Sequence, residues 1–187
     1  MNKIDANEML IAGAKACDFI TVKTAIKNGA DNSNVALLFV LIDDDENEYR
    51  ESEQIDIIGF LMENEAKNPN EGLFFAATHD RIDIAEIAIR HGADNLNECL
   101  CLATKGGMLR VIEIIIKSGA NNLNKCLCLA AVYGQLHSAE ILIKHGANNF
   151  DVALCYAGAV EEESYFGVAD LLLEHIQKRE KNNETNN

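Results

Sequence analysis

A four-residue signature that recurs every 27 residues constrains the fold more than any other feature of this chain. Its copies begin at Gly92, Gly119 and Gly146, and each reads Gly-Ala followed by Asp-Asn or Asn-Asn. Segments 97–103 and 124–130 both read Asn-x-Cys-Leu-Cys-Leu-Ala, so the intervening sequence repeats as well. A fixed period of this length is typical of proteins built from stacked repeats, each of which packs on its neighbours.

The period extends over most of the 187 residues once two insertions are allowed for. The signature also begins at Gly29; an acidic insertion of nine residues around 43–52 lengthens the second unit, and three extra residues near Glu161 lengthen the last. This phasing predicts one domain over residues 1–178 with six units, at about 5–30, 31–66, 67–93, 94–120, 121–147 and 148–178. Residues 179–187 are polar and are predicted to be a disordered tail.

Each unit reads as helix, turn, helix. In its second half, polar residues such as Arg110, Glu113 and Lys117 recur at steps of three or four among apolar residues, which predicts a helix with one solvated stripe. Segment 114–116 is three isoleucines, which favour a strand by propensity. The predicted cap, the stripe and the glycine that follows, Gly119, all indicate helix, and these three signals decide the prediction.

Two polar columns run through the repeats. The first column precedes each apolar stretch, where its side chains are predicted to cap the first helix, and it consists of Asn7, Asn34, Asn70, Asn97, Asn124 and Asp151. The second column lies in the loops between units and consists of Asn32, Asn68, Asn95, Asn122 and Asn149. Two interpretations of the second column stay open: amides that satisfy neighbouring backbone groups, or exposed turn residues.

The pattern Leu-x-Leu-Ala, a second helix of the Val-Ile-Glu-Ile-Ile-Ile type, and then Gly-Ala-Asn resembles the ankyrin repeat over residues 5–178. Segment 98–101 reads Glu-Cys-Leu-Cys where the family has Thr-Pro-Leu-His, so that hallmark is absent. The family's period is about 33 residues, and the shorter period here indicates that the β-hairpin finger is missing. The resemblance implies an all-α solenoid of six stacked helix-turn-helix units. A leucine-rich repeat is the alternative with a compatible period, but it requires an Asn where segment 105–107 has Lys-Gly-Gly.

The charge balance argues against two classes of partner. The 16 basic and 30 acidic residues give a net charge of −14, which repels nucleic acid and anionic membrane surfaces. The longest apolar run, 35–42, is too short to span a bilayer, and the N-terminal residues do not resemble a secretion signal. These features predict a cytoplasmic protein, and a charged last helix bearing Glu174, Lys178 and Arg179 predicts a monomer.

No catalytic, cofactor or metal site is predicted. The six cysteines are expected to be free, buried and structural, and they are Cys17, Cys99, Cys101, Cys126, Cys128 and Cys155. Cys99 and Cys101 are two residues apart and point to different sides of a helix, so one zinc ion cannot bind both. Cysteines at the same phase of adjacent units are expected to be about 10 Å apart, too far for a shared metal.

The resemblance to ankyrin repeats implies a non-enzymatic module that binds a partner protein on the inner face formed by the first helices. Two columns of that face are more apolar than exposure requires, so they are either core or the anchor of a binding site. The candidate binding residues are Leu38, Phe74, Thr78, Cys101, Lys105, Cys128, Val132 and Cys155. Ile42 and Ala159 extend the same columns.

Two alternative functions stay open: a thiol-dependent enzyme or redox protein, and a subunit that stacks end to end on copies of itself. The short, degenerate repeats are also similar to ankyrin proteins of giant viruses and intracellular bacteria that engage host proteins, which implies the host cytosol as a location.

Half of the net charge is concentrated in one segment. Residues 43–56 contain eight acids against Arg50 alone, a net charge of −7. This insertion and the short one in the last unit fall at equivalent turns, so both are expected on one edge of the repeats and to favour a basic partner. The candidate acidic edge consists of Asp43, Asp44, Asp45, Glu46, Glu161, Glu162 and Glu163.

Overall fold

Helices in consecutive pairs make up the computed structural model, which describes residues 2–41, 48–64, 68–157 and 166–185. No strand occurs in these ranges, and a helix covers the segment around Cys99 that a leucine-rich repeat would require to be extended. The helices are α1 (Lys3–Lys15), α2 (Phe19–Lys27), α3 (Ser33–Leu41), α4 (Glu48–Glu63), α5 (Pro69–His79), α6 (Ile82–Arg90), α7 (Leu96–Gly106), α8 (Leu109–Lys117), α9 (Leu123–Val132), α10 (Leu136–Lys144), α11 (Phe150–Ala157) and α12 (Phe166–Thr185).

The chain divides into two compact units, each of which contains several of the helix pairs. One contains Met1–Ala76 and Arg81–Asp94, and the other contains Ala77–Asp80 and Asn95–Asn187. In the first unit α1 packs on α2 and α3, α3 packs on α4, and α2, α4 and α6 pack in succession. In the second unit α7, α9 and α11 pack in succession, as do α8, α10 and α12. First helices therefore contact first helices and second helices contact second helices, which is how helix-turn-helix repeats stack.

Each unit has a core of aliphatic side chains supplied by both helices of every repeat. The largest fully buried side chains are Leu10, Leu37, Ile57, Ile58, Leu61, Leu73 and Ile84 in the first unit. In the second unit they are Leu100, Ile112, Ile115, Leu127 and Leu142. Ile115 comes from the three-isoleucine segment, which is helical within α8 as the stripe and the glycine predicted.

The second helices end as the glycine spacing predicted. Gly119 has a φ of 109°, and its N–H donates to the carbonyl oxygen of Ile116 at 3.0 Å. The next N–H, of Ala120, reaches back to the carbonyl oxygen of Ile115 at 3.2 Å. A residue with a β-carbon is strained at this φ, so glycine closes the helix and turns the chain into the next repeat.

The prediction that the first asparagine column caps its own helices is wrong. Asn97 and Asn124 lie in the second position of α7 and α9, inside the helix. The Asn97 side-chain oxygen instead accepts from the N–H groups of Asn121 and Asn122, at 2.9 and 3.2 Å. Its amide nitrogen donates to the side-chain oxygen of Asn121 at 3.1 Å, so one amide holds the loop between α8 and α9, which leads into the next repeat. Asn7 and Asn70 bind Asp31 and Asp94 in the same way in the first unit.

The second asparagine column satisfies backbone groups at two positions. The Asn122 amide donates to the carbonyl oxygen of Asn97 at 2.9 Å, and the Asn149 amide donates to that of Asn124 at 3.1 Å. Both bonds join one repeat to the next within the second unit, which supports the first of the two interpretations. Side-chain amides thus hold together loops that lack a β-hairpin finger.

The last helix, α12, runs to Thr185 and includes most of the segment that the composition predicted to be disordered. The Arg179 guanidinium binds both carboxylate oxygens of Asp151 on α11, at 2.9 and 3.2 Å. Asp151 belongs to the first polar column and lies in the last repeat. It binds a residue of α12, whereas the asparagines of that column bind the loop that follows their own helix pair. This contact gives the helical extension an anchor that composition alone does not reveal.

Candidate functional site

The eight candidate binding residues all lie on first helices of the repeats, from α3 to α11, and none of them is fully buried. Leu38 and Phe74 are 43% and 52% exposed. Lys105 and Cys155 are also exposed, while Thr78, Cys101, Cys128 and Val132 are half-buried. The columns therefore lie at least partly at the surface, which an anchor for a partner requires. Ile42 and Ala159, which extend the columns, lie outside the described residues.

In the first unit the exposed part of this surface is apolar. Val35 is 41% exposed and lies three residues before Leu38 on α3, so the two side chains share one side of the helix. Phe74 holds the position on α5 that Leu38 holds on α3. Leu37 and Val40 lie on the opposite side of α3 and are fully buried. Val35 is not among the predicted residues because it lies outside the two columns that the repeat pattern singles out.

In the second unit, exposed aromatic side chains lie on or directly after the first helices of two repeats. Val152 and Tyr156 are 51% and 50% exposed and lie four residues apart on α11. Tyr133, 43% exposed at the end of α9, has the Lys105 ammonium 4.9 Å from its ring centroid. That geometry is a cation–π contact, which orients both side chains at the surface. Tyrosine presents a large apolar ring with a polar tip, a combination enriched in protein interfaces.

The cysteines are less uniform than predicted. Cys17, Cys99 and Cys126 are buried, Cys101 and Cys128 are half-buried, and Cys155 is exposed, so the expectation that all are buried is wrong for Cys155. Burial raises the pKa of the Cys99 thiol to about 12, as expected for an inert structural cysteine.

Two cysteines that occupy different phases of the repeat lie close together. The Sγ atoms of Cys101 on α7 and Cys126 on α9 are 3.5 Å apart. Equivalent positions of adjacent repeats are 27 residues apart, whereas this contact and the bonds from Asn97 to the following loop join residues 24 or 25 apart. A search at that offset would have found the pair.

This contact changes the acidity of both thiols in opposite directions. Hydrogen bonds from the Cys126 thiol and the Asn122 amide favour the charged form of Cys101, and its pKa falls to about 6. The hydrogen bond to Cys101, together with burial, raises the pKa of Cys126 above its ordinary value. The contact therefore favours the thiolate at Cys101 and the protonated thiol at Cys126.

Three remaining features are metal binding, membrane-spanning helices and the candidate acidic edge. Among the described residues, no group of three His, Cys, Asp or Glu side chains is placed to bind a metal ion. None of the described helices is long and apolar enough to cross a bilayer. The candidate acidic edge, Asp43, Asp44, Asp45, Glu46, Glu161, Glu162 and Glu163, lies outside the described residues.

Comparison with solved structures identifies the class of fold. The crystal structure of the human ASB11 ankyrin repeat domain matches with a TM-score of 0.65, covering 89% of this chain and 82% of that chain at 19% sequence identity. This chain therefore has the ankyrin-repeat fold, and the predicted class, an all-α solenoid of ankyrin-like repeats, is confirmed. No protein-family model matches the sequence, and no curated protein matches it.

Proposed function

We propose that this protein is a non-enzymatic interaction module that binds a partner protein on the face formed by its first helices. The observation that carries the proposal is the exposure of large apolar side chains on first helices in both units. Val35, Leu38 and Phe74 in the first unit and Tyr156 in the second are each between 41% and 52% exposed. Exposed apolar area of this kind is what an anchor for a protein partner requires.

The chemistry of the face favours a partner with an apolar segment flanked by basic residues. Apolar anchors bury area against another apolar surface, and the net charge of −14 attracts basic proteins at long range. We propose that the acidic edge at residues 43–46 and 161–163 supplies this attraction and speeds association. Such a partner belongs in the host cytosol if the protein comes from a virus or an intracellular bacterium, and the module works as a monomer.

The proposal is tested by comparing two exposed apolar residues on different faces. Phe74 lies on the first helix α5, and Ile20, 76% exposed, lies on the second helix α2. We expect Phe74→Ser to reduce capture of the partner by tenfold or more, since an aromatic anchor contributes about 2 kcal/mol or more. Ile20→Ser should leave capture unchanged. The measurement is quantitative mass spectrometry of proteins retained from a cell lysate by the immobilised full chain and each variant.

A photo-crosslinking amino acid at each of the two positions provides an independent readout. A partner on the first-helix face is cross-linked from position 74 and not from position 20. Cross-linking from position 20 alone, with capture lost in Ile20→Ser, would move the site to the second helices. Elution at rising salt concentration separates the electrostatic contribution, because attraction between exposed charges is screened beyond about 8 Å at physiological ionic strength.

The two other functional hypotheses predict different results. A thiol-dependent enzyme requires a substrate site next to a reactive cysteine, and its activity would be insensitive to Phe74→Ser. A subunit that stacks on copies of itself would sediment faster as its concentration rises, whereas an interaction module that is monomeric would not. Sedimentation velocity of the full chain at several concentrations distinguishes these two cases.

A further inference from the structure

Cys101 and Cys126 form an isolated dithiol between two adjacent repeats of the second unit. Their Sγ atoms are 3.5 Å apart, one on α7 and the other on α9. Cys126 is fully buried, while Cys101 is half-buried on the first-helix face and in reach of small reagents. The two thiols differ in access, so a reagent from solvent meets Cys101 first.

The surroundings of Cys101 favour its thiolate. The Asn122 amide donates to its Sγ at 3.2 Å, and the Sγ of Cys126 lies 3.5 Å away, within hydrogen-bonding distance. The charge of Lys125 on α9 assists and that of Glu98 on α7 opposes, but the hydrogen bond from Cys126 is the largest influence. A thiolate is the form of cysteine that reacts with peroxides and disulfides.

The next repeat contains a nearly identical site that lacks the second thiol. Cys128 lies 27 residues after Cys101 and accepts from the Asn149 amide at 3.3 Å, as Cys101 accepts from Asn122. Ala153 stands where Cys126 would be. The chain thus provides its own control for the effect of the paired cysteine.

We propose that Cys101 and Cys126 are a redox-active pair that a hydroperoxide converts into a disulfide between neighbouring repeats. The Cys101 thiolate attacks the peroxide oxygen, the O–O bond breaks, and the leaving oxygen takes a proton to give an alcohol or water. Cys101 is then a sulfenic acid. Cys126 loses its proton and attacks the Cys101 sulfur, the S–O bond breaks, and water leaves with that proton. Two thiols are oxidised by two electrons and one hydroperoxide is reduced.

The geometry requires only a small movement. A disulfide has an S–S distance of about 2.05 Å, so the two sulfur atoms must approach by about 1.5 Å, within the range of a side-chain rotation. The bond would remove a thiolate from the first-helix face and tie α7 to α9. It would therefore make that face sensitive to oxidation whether or not a protein partner binds there.

The experiment treats the folded full chain with hydrogen peroxide, blocks the remaining thiols and maps the peptides by mass spectrometry. The expected product is a 101–126 cross-link with the loss of two hydrogen atoms. Cys126→Ala should give no such cross-link and should leave a sulfenic acid at Cys101 that dimedone traps. Cys128→Ala should oxidise at the same rate as the unmodified sequence. At pH 6, iodoacetamide should alkylate Cys101 about tenfold faster than Cys128, because a second sulfur atom lies next to Cys101 and favours its thiolate.

Other outcomes would overturn the proposal. These are a cross-link between other cysteines of the folded chain, equal oxidation of Cys101 and Cys128, or a Cys101 that stays reduced while exposed Cys155 is oxidised. Cys126→Ser provides a second variant if Cys126→Ala does not fold, since it keeps a polar group next to Cys101. Oxidation in guanidinium chloride is the control for folding, and there the preference for the 101–126 pair should disappear.

Discussion

At the scale of single residues, Asn97 connects two repeats through one side chain. Its oxygen accepts from two backbone N–H groups of the next loop, and its nitrogen donates to the Asn121 side chain. Asparagine suits this role because its amide offers an acceptor and a donor on one short, planar group. A carboxylate would lack the donor, and an aliphatic residue would leave the loop N–H groups without these partners.

Asn97→Ala should lower the free energy of unfolding by about 1–2 kcal/mol, because two backbone hydrogen bonds lose their acceptor near the surface. Urea denaturation followed by circular dichroism measures this change. Glu98→Ala is the matched control, since Glu98 is the exposed neighbour on the same helix, and its effect should stay within about 0.5 kcal/mol. Equal effects of the two substitutions would show that the asparagine bonds do not stabilise the repeats.

At the scale of helices, the sequence was sufficient where the signal is local. The glycine after α8 and the solvated stripe on that helix predicted its end and its exposed side, and both are confirmed. The prediction failed where the partner of a residue lies in another repeat. The sequence pattern predicts that Asn97 caps its own helix, whereas its side chain binds the loop after α8. The repeat period aligns Cys101 with Cys128, whereas its sulfur contacts that of Cys126. The relative displacement of adjacent first helices determines these contacts, and it is set by packing that a 27-residue period does not specify.

The ion pair between Arg179 and Asp151 joins the extension of α12 beyond Lys178 to α11. The hydrogen bond from Arg179 lowers the pKa of the Asp151 carboxyl below its ordinary value. The contact is therefore present at pH values above the usual aspartate range and is lost as the pH falls through the lowered pKa. Asp151→Asn should speed amide hydrogen exchange at residues 180–185 several-fold at pH 7, and it should remove this part of the pH dependence.

The control for this prediction is Glu174→Gln, which breaks the 2.6 Å pair with Lys178 inside the same helix. That pair does not connect α12 to another helix, so its loss should change exchange at 180–185 less than Asp151→Asn does. Exchange at these residues that is fast in the unmodified chain, and unaffected by either variant, would favour the disordered tail that composition predicts.

At the scale of the whole molecule, the charge of −14 has two opposing consequences for stability. Repulsion among the acids destabilises the folded chain, and added salt screens it. Ion pairs such as Lys117–Glu113, with side chains 63% and 36% exposed, act in the opposite direction because salt weakens them. Exposed pairs of this kind contribute about 0–1 kcal/mol each, while the net charge acts on every acid at once. Repulsion is therefore expected to dominate.

The melting temperature should accordingly rise as sodium chloride increases from about 10 to about 150 mM, over which the screening length falls from about 30 to about 8 Å. For a chain of this size, each kcal/mol of repulsion that salt removes corresponds to a rise of about 2–4 °C.

Replacing Asp43, Asp44, Asp45 and Glu46 with Ser removes four of the fourteen net negative charges, all of them from one short segment. This variant should melt higher than the unmodified chain at low salt and respond less to added salt, because less repulsion remains to be screened. Differential scanning calorimetry at matched pH measures both effects. A melting temperature that falls with salt would instead show that the ion pairs outweigh the repulsion, and an equal response in the variant would mean that the acidic segment does not strain the fold.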